Sequence, residues 1–161
     1  MIICRSYCGN SQSLKHQKDT IMENIVKQIV KEMPSEITEV EKMVGVPLVR
    51  NEQLSTPFYV VYNAKNIATQ NSFHSLEVRL PVSFQDSTEV LIIFDLHGFS
   101  SYNKKAIIHH FGNDVNIVPP RPRSVKQTIY YVLYQANAKV SFGFDPKDEM
   151  CNSIIISYKK T

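Results

Sequence analysis

"FGNDVNIVPPRPRSVKQTIYYVLYQA", residues 111–136, contains the transitions that decide the fold class. Phe111-Gly112 closes a stretch of helical spacing. Pro119-Pro120-Arg121-Pro122-Arg123 follows, and residues 129–134, aromatic and β-branched, then read as a strand. Glycine just past the last apolar position of a helix is a usual site for a left-handed cap. Proline fixes φ and favours an extended path, so this run makes a stiff connector that needs no ladder hydrogen bonds. Pro119 and Pro120 are therefore expected to run extended against a sheet, without regular structure of their own.

An earlier stretch follows the same order. Val44-Gly45 leads through a proline-containing loop to FYVVYNA at 58–64, as Phe111-Gly112 leads to IYYVLYQA at 129–136. Before it, Ile25, Val26, Ile29, Val30 and Met33 keep helical spacing. Pro34 ends that helix and opens a second, in which Ile37, Val40 and Val44 continue the period. Residues 23–44 read as a helical hairpin. Ser100 and Ser101 are candidate caps for a third helix whose Ile107, Ile108 and Phe111 face inward.

Strands are expected at 58–62, at 76–82 with one wet face, at 89–96, and near 127–135, 138–144 and 153–159. Pro81 suggests an edge or a bulge. Asn137-Ala138 and the Asp145–Asp148 segment read as turns. The fold class is α+β: an N-terminal helical hairpin and a third helix packed on an antiparallel sheet. Residues 22–161 form one domain, with halves 22–98 and 99–161 as degenerate helix-plus-sheet repeats. Residues 1–21, polar and without a period, are expected to be a disordered leader that buries little.

Composition excludes several classes. The 161 residues are 43% hydrophobic and 20% charged, a globular balance. No apolar run approaches the roughly 18 residues of a spanning helix. Net charge is +3, but from Met22 onward there are 15 basic against 14 acidic residues, without the basic stripe of a nucleic-acid binder. The N-terminus lacks the continuous apolar core of a signal peptide, which argues for the cytoplasm. Cys4, Cys8 and Cys151 are an odd set without metal-site spacing, so neither a disulfide framework nor a zinc site is expected.

Catalytic signals are weak. His109 and His110 are adjacent, so on a helix they point about 100° apart and rarely share one metal ion. Asp95 and His97 at a strand end have the chemistry of an acid–base pair, but also of a strand entering a turn. No nucleophile elbow, phosphate loop or dinucleotide fingerprint is present. Tyr130, Tyr131 and Tyr134 invite a base-stacking reading, yet alternation sends half of such a strand to the core. No cofactor, metal or enzymatic activity is expected.

The order Phe111-Gly112, Pro119-Pro120-Arg121, Lys126-Gln127 resembles a family of small bacterial immunity proteins encoded beside S-type pyocins and carocin-like bacteriocins. The similarity runs from about Met22 to the C-terminus, and its motifs lie within 107–135. The halved architecture also looks like the tandem helix-plus-sheet units of β-lactamase inhibitory protein and of outer-membrane assembly lipoproteins, at the level of fold alone. The family resemblance implies neutralisation. The protein would bind a cognate bacteriocin's cytotoxic domain, a nuclease acting in the cytoplasm, without nucleic acid or membrane as a partner. The alternative is an adaptor or chaperone module for another protein. Inhibitors of basic nucleases are usually acidic, because charge complementarity speeds encounter. Candidate contacts are therefore Asp145, Asp148 and Glu149 in one turn, and Glu36 and Glu39 with Glu41 along the second helix.

Overall fold

Val90, Ile92, Phe94 and Leu96 are buried while Leu91, Ile93 and Asp95 between them are half-buried. That two-residue period marks a strand with a core face and a wetter face. The computed structural model describes residues 10–65, 67, 72–83, 88–96, 103–112, 114–120, 127–147 and 150–159, with backbone alone for 10–19. Among them, α1 (Asn10–Glu32) and α2 (Ile37–Val44) precede β1 (Leu48–Arg50), β2 (Tyr59–Ala64), β3 (Phe73–Pro81) and β4 (Val90–Leu96). Then α3 (Lys104–Phe111) precedes β5 (Asn116–Val118), β6 (Ile129–Gln135), β7 (Ala138–Phe144) and β8 (Cys151–Tyr158).

These strands form one sheet in the order β1-β2-β3-β4-β8-β7-β6-β5, with every pair antiparallel. The fold is α+β, as the sequence indicates. Each half is a helical segment followed by a four-stranded meander, and the two meanders join through their last strands. Helix side chains Met22, Val26, Ile29, Val40, Val44 and Ile107 share one core with Leu76, Val78, Ile92, Phe94, Val140, Phe142, Ile154 and Ile156. Burying each such side chain contributes about 1.5–3 kcal/mol before chain entropy is counted.

Both glycines end their helices: Gly45 (φ 69°, ψ 20°) in the left-handed cap conformation, donating to Glu41 O at 2.8 Å, and Gly112 (φ 98°, ψ 176°) outside it, donating to Ile108 O at 3.0 Å. Positive φ costs any other L-residue more than glycine. Other expectations need correction. The stretch 10–21 is not without structure, because α1 starts at Asn10. No proline or glycine interrupts 10–32, so the helix that buries Met22 onward extends backwards through polar residues. Asn103, not Ser100 or Ser101, caps α3, its Oδ1 accepting from Ala106 N–H at 2.9 Å; both serines lie outside the described residues. Pro81 is on neither an edge nor a bulge. It is the last residue of the internal β3, where a lost donor breaks little of the ladder. The β6–β7 turn is Ala136-Asn137, one residue earlier than expected. Strand β2 begins at Tyr59 and leaves Phe58 outside it.

One buried polar contact ties the last strand to the helical hairpin. Tyr158, 2% exposed, donates from its hydroxyl to Pro34 O at 2.6 Å. Burial first, and the Glu39 carboxylate second, raise this hydroxyl above the ordinary tyrosine value of 10.0. The unfolded chain therefore loses that proton first. The stability held by neutral Tyr158 is complete below about pH 10 and falls as pH rises beyond it, because the unfolded state then binds fewer protons. Tyr158→Phe is expected to cost about 1–3 kcal/mol at pH 7, by leaving the Pro34 carbonyl unpaired. It should also flatten the decline in stability above pH 10. Urea unfolding at pH 7 and across the alkaline range checks both.

Candidate binding face

Alternation fixes which residues share the face away from the helices. Across β2, β3, β4, β8, β7 and β6 the register aligns Val61, Arg79, Leu91, Ser157, Lys139 and Tyr134 in one row. The next row holds Asn63, Glu77, Ile93, Ile155, Ser141 and Val132. No described helix covers these rows. Val61 and Val132 are each only 3% exposed yet stand outside the main core cluster, so they belong to this second surface.

On the β5 side this open face deepens into a trough of about 560 Å³. Its floor is Ser141, Ser157, Val132 and Ile155; Leu91 and Glu89 close one side, and Val118, Pro119 and Pro120 the other. Lys139, Thr128 and Tyr130 complete the lining. The prolines thus have a defined place. They follow the three-residue edge strand β5, where they cannot extend its ladder, and they form a stiff wall. Pro119 and Pro120 carry no regular structure. Residues 121–126, including Arg121 and Lys126, lie outside the described residues; Gln127 is exposed at the entrance to β6.

Phe111 and Gly112 hold this segment in place from behind. The Phe111 ring lies 5.2 Å from that of Phe142, Lys27 Nζ is 5.6 Å from its centroid, and its carbonyl accepts from Gln135 Nε2 at 3.4 Å. Glu23 accepts from Lys27 Nζ at 2.5 Å within α1 and, by contacting His110 Nδ1 at 3.1 Å, joins α1 to α3. His109 is exposed, with its ring 5.0 Å from that of His110. His97 lies outside the described residues. Asp95 is half-buried on the open face between Ser75 and Ser153. Among the described residues no three His, Cys, Asp or Glu side chains gather as a metal site, and no helix is long and apolar enough to cross a membrane. Cys151 is buried, its thiol donating to Ser153 O at 3.4 Å.

None of the described acidic candidates, Glu36, Glu39, Glu41 and Asp145, lines the trough. Glu39 accepts from the Ser35 and Glu36 N–H groups at 3.0 and 3.3 Å, capping α2. Glu41 accepts from Leu48 N–H at 2.7 Å and fixes the entry to β1. Asp145 accepts from Lys147 N–H at 2.8 Å within its own turn. Glu36 is exposed, and Asp148 and Glu149 lie outside the described residues. Three of these carboxylates therefore hold backbone in place. The tyrosines divide by alternation. Tyr131 packs edge-on against Phe144 with ring centroids 4.9 Å apart, while Tyr130 and Tyr134 face the open side.

No protein-family model matches the sequence, and no curated protein matches it. Among solved structures, a DUF4309 family protein, YjgB, from Bacillus subtilis covers 89% of this chain and 99% of its own, at 16% identity and a TM-score of 0.45.

Gly143 shapes one end of the trough. A Cβ there would overlap Ser153 Oγ and press on Thr128 Cγ2 and Tyr130 Cε1, each 3.0 Å away. The missing side chain lets the Tyr130 ring lie across β7. Gly143→Ala is expected to destabilise the protein by about 1–3 kcal/mol through overpacking. It should also displace Tyr130, read as a change in the near-ultraviolet circular dichroism of the folded protein. Unchanged stability and spectrum would mean the ring is not held there.

Proposed function

We propose that the protein neutralises a bacteriocin-like toxin by binding its killing domain on the open face of the sheet. The observation that carries this reading is a broad antiparallel sheet with helices packed on one face and a trough, uncovered by any described helix, on the other. The chemistry of that face suits a protein partner. Serines line the floor, with Tyr130 at the trough's margin and Tyr134 on the same face, the mixture of adaptable hydrogen-bonding groups and rigid aromatics used by protein-recognition surfaces. Apolar Leu91, Ile93, Val132 and Ile155 supply the centre. Among the described residues charge is sparse and of both signs, with Glu89 opposing Lys139 and Glu77 bound to Arg79 at 2.6 Å. A phosphate backbone would call for a row of cations instead.

The segment that resembles bacteriocin immunity proteins supports the same reading. Its Phe111 and Gly112 anchor the approach to β5, and its Pro119 and Pro120 form a wall of the trough. The motif thereby gains a role in building a binding surface.

The test is calorimetric titration with the killing domain encoded beside this chain's gene. The unaltered protein is expected to bind one to one. Tyr130→Ala and Lys139→Glu should each weaken binding by about tenfold or more, with the fold retained. Lys105→Ala, an exposed change on the helix side, should have no effect. No binding to that domain would reject the toxin reading. Full binding by both open-face variants would place the contact elsewhere.

A further inference from the structure

Ser141 and Ser157 are the buried polar side chains among the described residues, each 7% exposed. Buried hydroxyls are nearly always hydrogen-bonded within a protein. Ser55 Oγ donates to Asn51 O at 2.7 Å and accepts from Val61 N–H at 3.0 Å, and Ser153 Oγ donates to Asn152 Oδ1 at 3.2 Å. Ser141 and Ser157 differ. Neither hydroxyl meets a hydrogen-bonding partner among the described residues, and neither is sealed off from the trough it floors. For the fold alone, an apolar residue would serve either position at less cost.

Register fixes their spacing. Ser157 lies opposite Lys139, and Ser141 is two residues further along β7. Diagonal neighbours of this kind stand about 7 Å apart. The same step, one strand across and two residues along, leads back from Ser157 to Glu89 beside β4 and on from Ser141 to Tyr130 of β6. All four residues line the trough, which therefore crosses the strands obliquely, for about 21 Å over three such steps, and ends against Pro119 and Pro120. That path is too long for one side chain. An extended chain repeats its same-side backbone groups every second residue, about 6.8 Å, which matches the step from Ser157 to Ser141. Such a chain finds no ladder partner on the floor, because β4, β8, β7 and β6 are each paired on both sides. A serine hydroxyl both donates and accepts, so it suits a main-chain N–H or C=O alike. A group that displaces solvent from these hydroxyls without replacing its hydrogen bonds would lose affinity.

We infer that the partner lays an extended segment of about six residues obliquely across β4, β8, β7 and β6, with main-chain groups hydrogen-bonded to the Ser157 and Ser141 hydroxyls; this rests on the toxin-binding reading above. Leu91 and Ile155 flank the path on one side, and Lys139 and Val132 on the other. Side chains of the segment turned towards Leu91 and Ile155 are therefore apolar.

Calorimetric titration of the killing domain into the unaltered protein, Ser141→Ala, Ser157→Ala and Tyr130→Ala tests this. Neither serine variant removes a bond within the protein, so the Tm should be unchanged or higher. Each should weaken binding about fivefold. Hydrogen exchange on the killing domain should slow in one unbroken run of about six residues, and less so with either serine variant. If both serine variants bind like the unaltered protein while Tyr130→Ala binds weakly, the segment is overturned and the open face stands. A lowered Tm in either serine variant, with binding intact, would mean that the hydroxyl serves the fold, and overturns it too. Slowed exchange without such a run would overturn the extended segment. If the unaltered protein does not bind the domain, the toxin reading fails and the segment falls with it.

Discussion

Val90, Ile92 and Phe94 of β4 lie opposite Tyr158, Ile156 and Ile154 of β8, and this antiparallel pairing turns two four-stranded meanders into one sheet. The six side chains are all buried, at the centre of the core. Without that junction each half would expose one full strand edge and one apolar face. Tyr158 extends the junction into the helical layer through its bond to Pro34, so the last strand of the second half is tied to the helical hairpin of the first.

The same pairing creates the open face. Once the core side chains of β4 and β8 turn to the helices, Leu91, Ile93, Ile155 and Ser157 between them must turn away. No described helix meets them there. What gives this surface shape is its flank: β5 is short, all three of its residues are exposed, and Pro119-Pro120 stop its ladder and wall the trough. Gly143 lets Tyr130 lie over β7, and small serines keep the floor low. The surface is thus a consequence of register, proline geometry and side-chain size acting together.

Much of the fold was legible in the sequence. Helical spacing located the hairpin and α3, glycines marked two helix ends, and β-branched and aromatic runs between turns, with alternation at 76–82, placed the six longer strands. The two edge strands were not legible, because three residues are too few to show a period. Strand order was not either, since no local signal states that β4 pairs with β8. The trough was illegible for that reason: its residues come from five strands and assemble only once register is known. The acidic residues read as contacts at 39, 41 and 145 proved to hold backbone N–H groups, a role that depends on cap and turn geometry. Phe58 looked like strand because of its type. Its exposure follows from the side-chain hydrogen bonds of Asn51, Ser55 and Thr56, which start β2 one residue later.

The central claim is that a partner protein covers the sheet face opposite the helices. Hydrogen–deuterium exchange of the complex with the killing domain tests it most directly. Slowed exchange in β5, β6 and the β6–β7 turn, with α2 and α3 unchanged, is the predicted footprint. Protection confined to α2 and α3, with the β5–β6 edge exchanging as in the free protein, would contradict it.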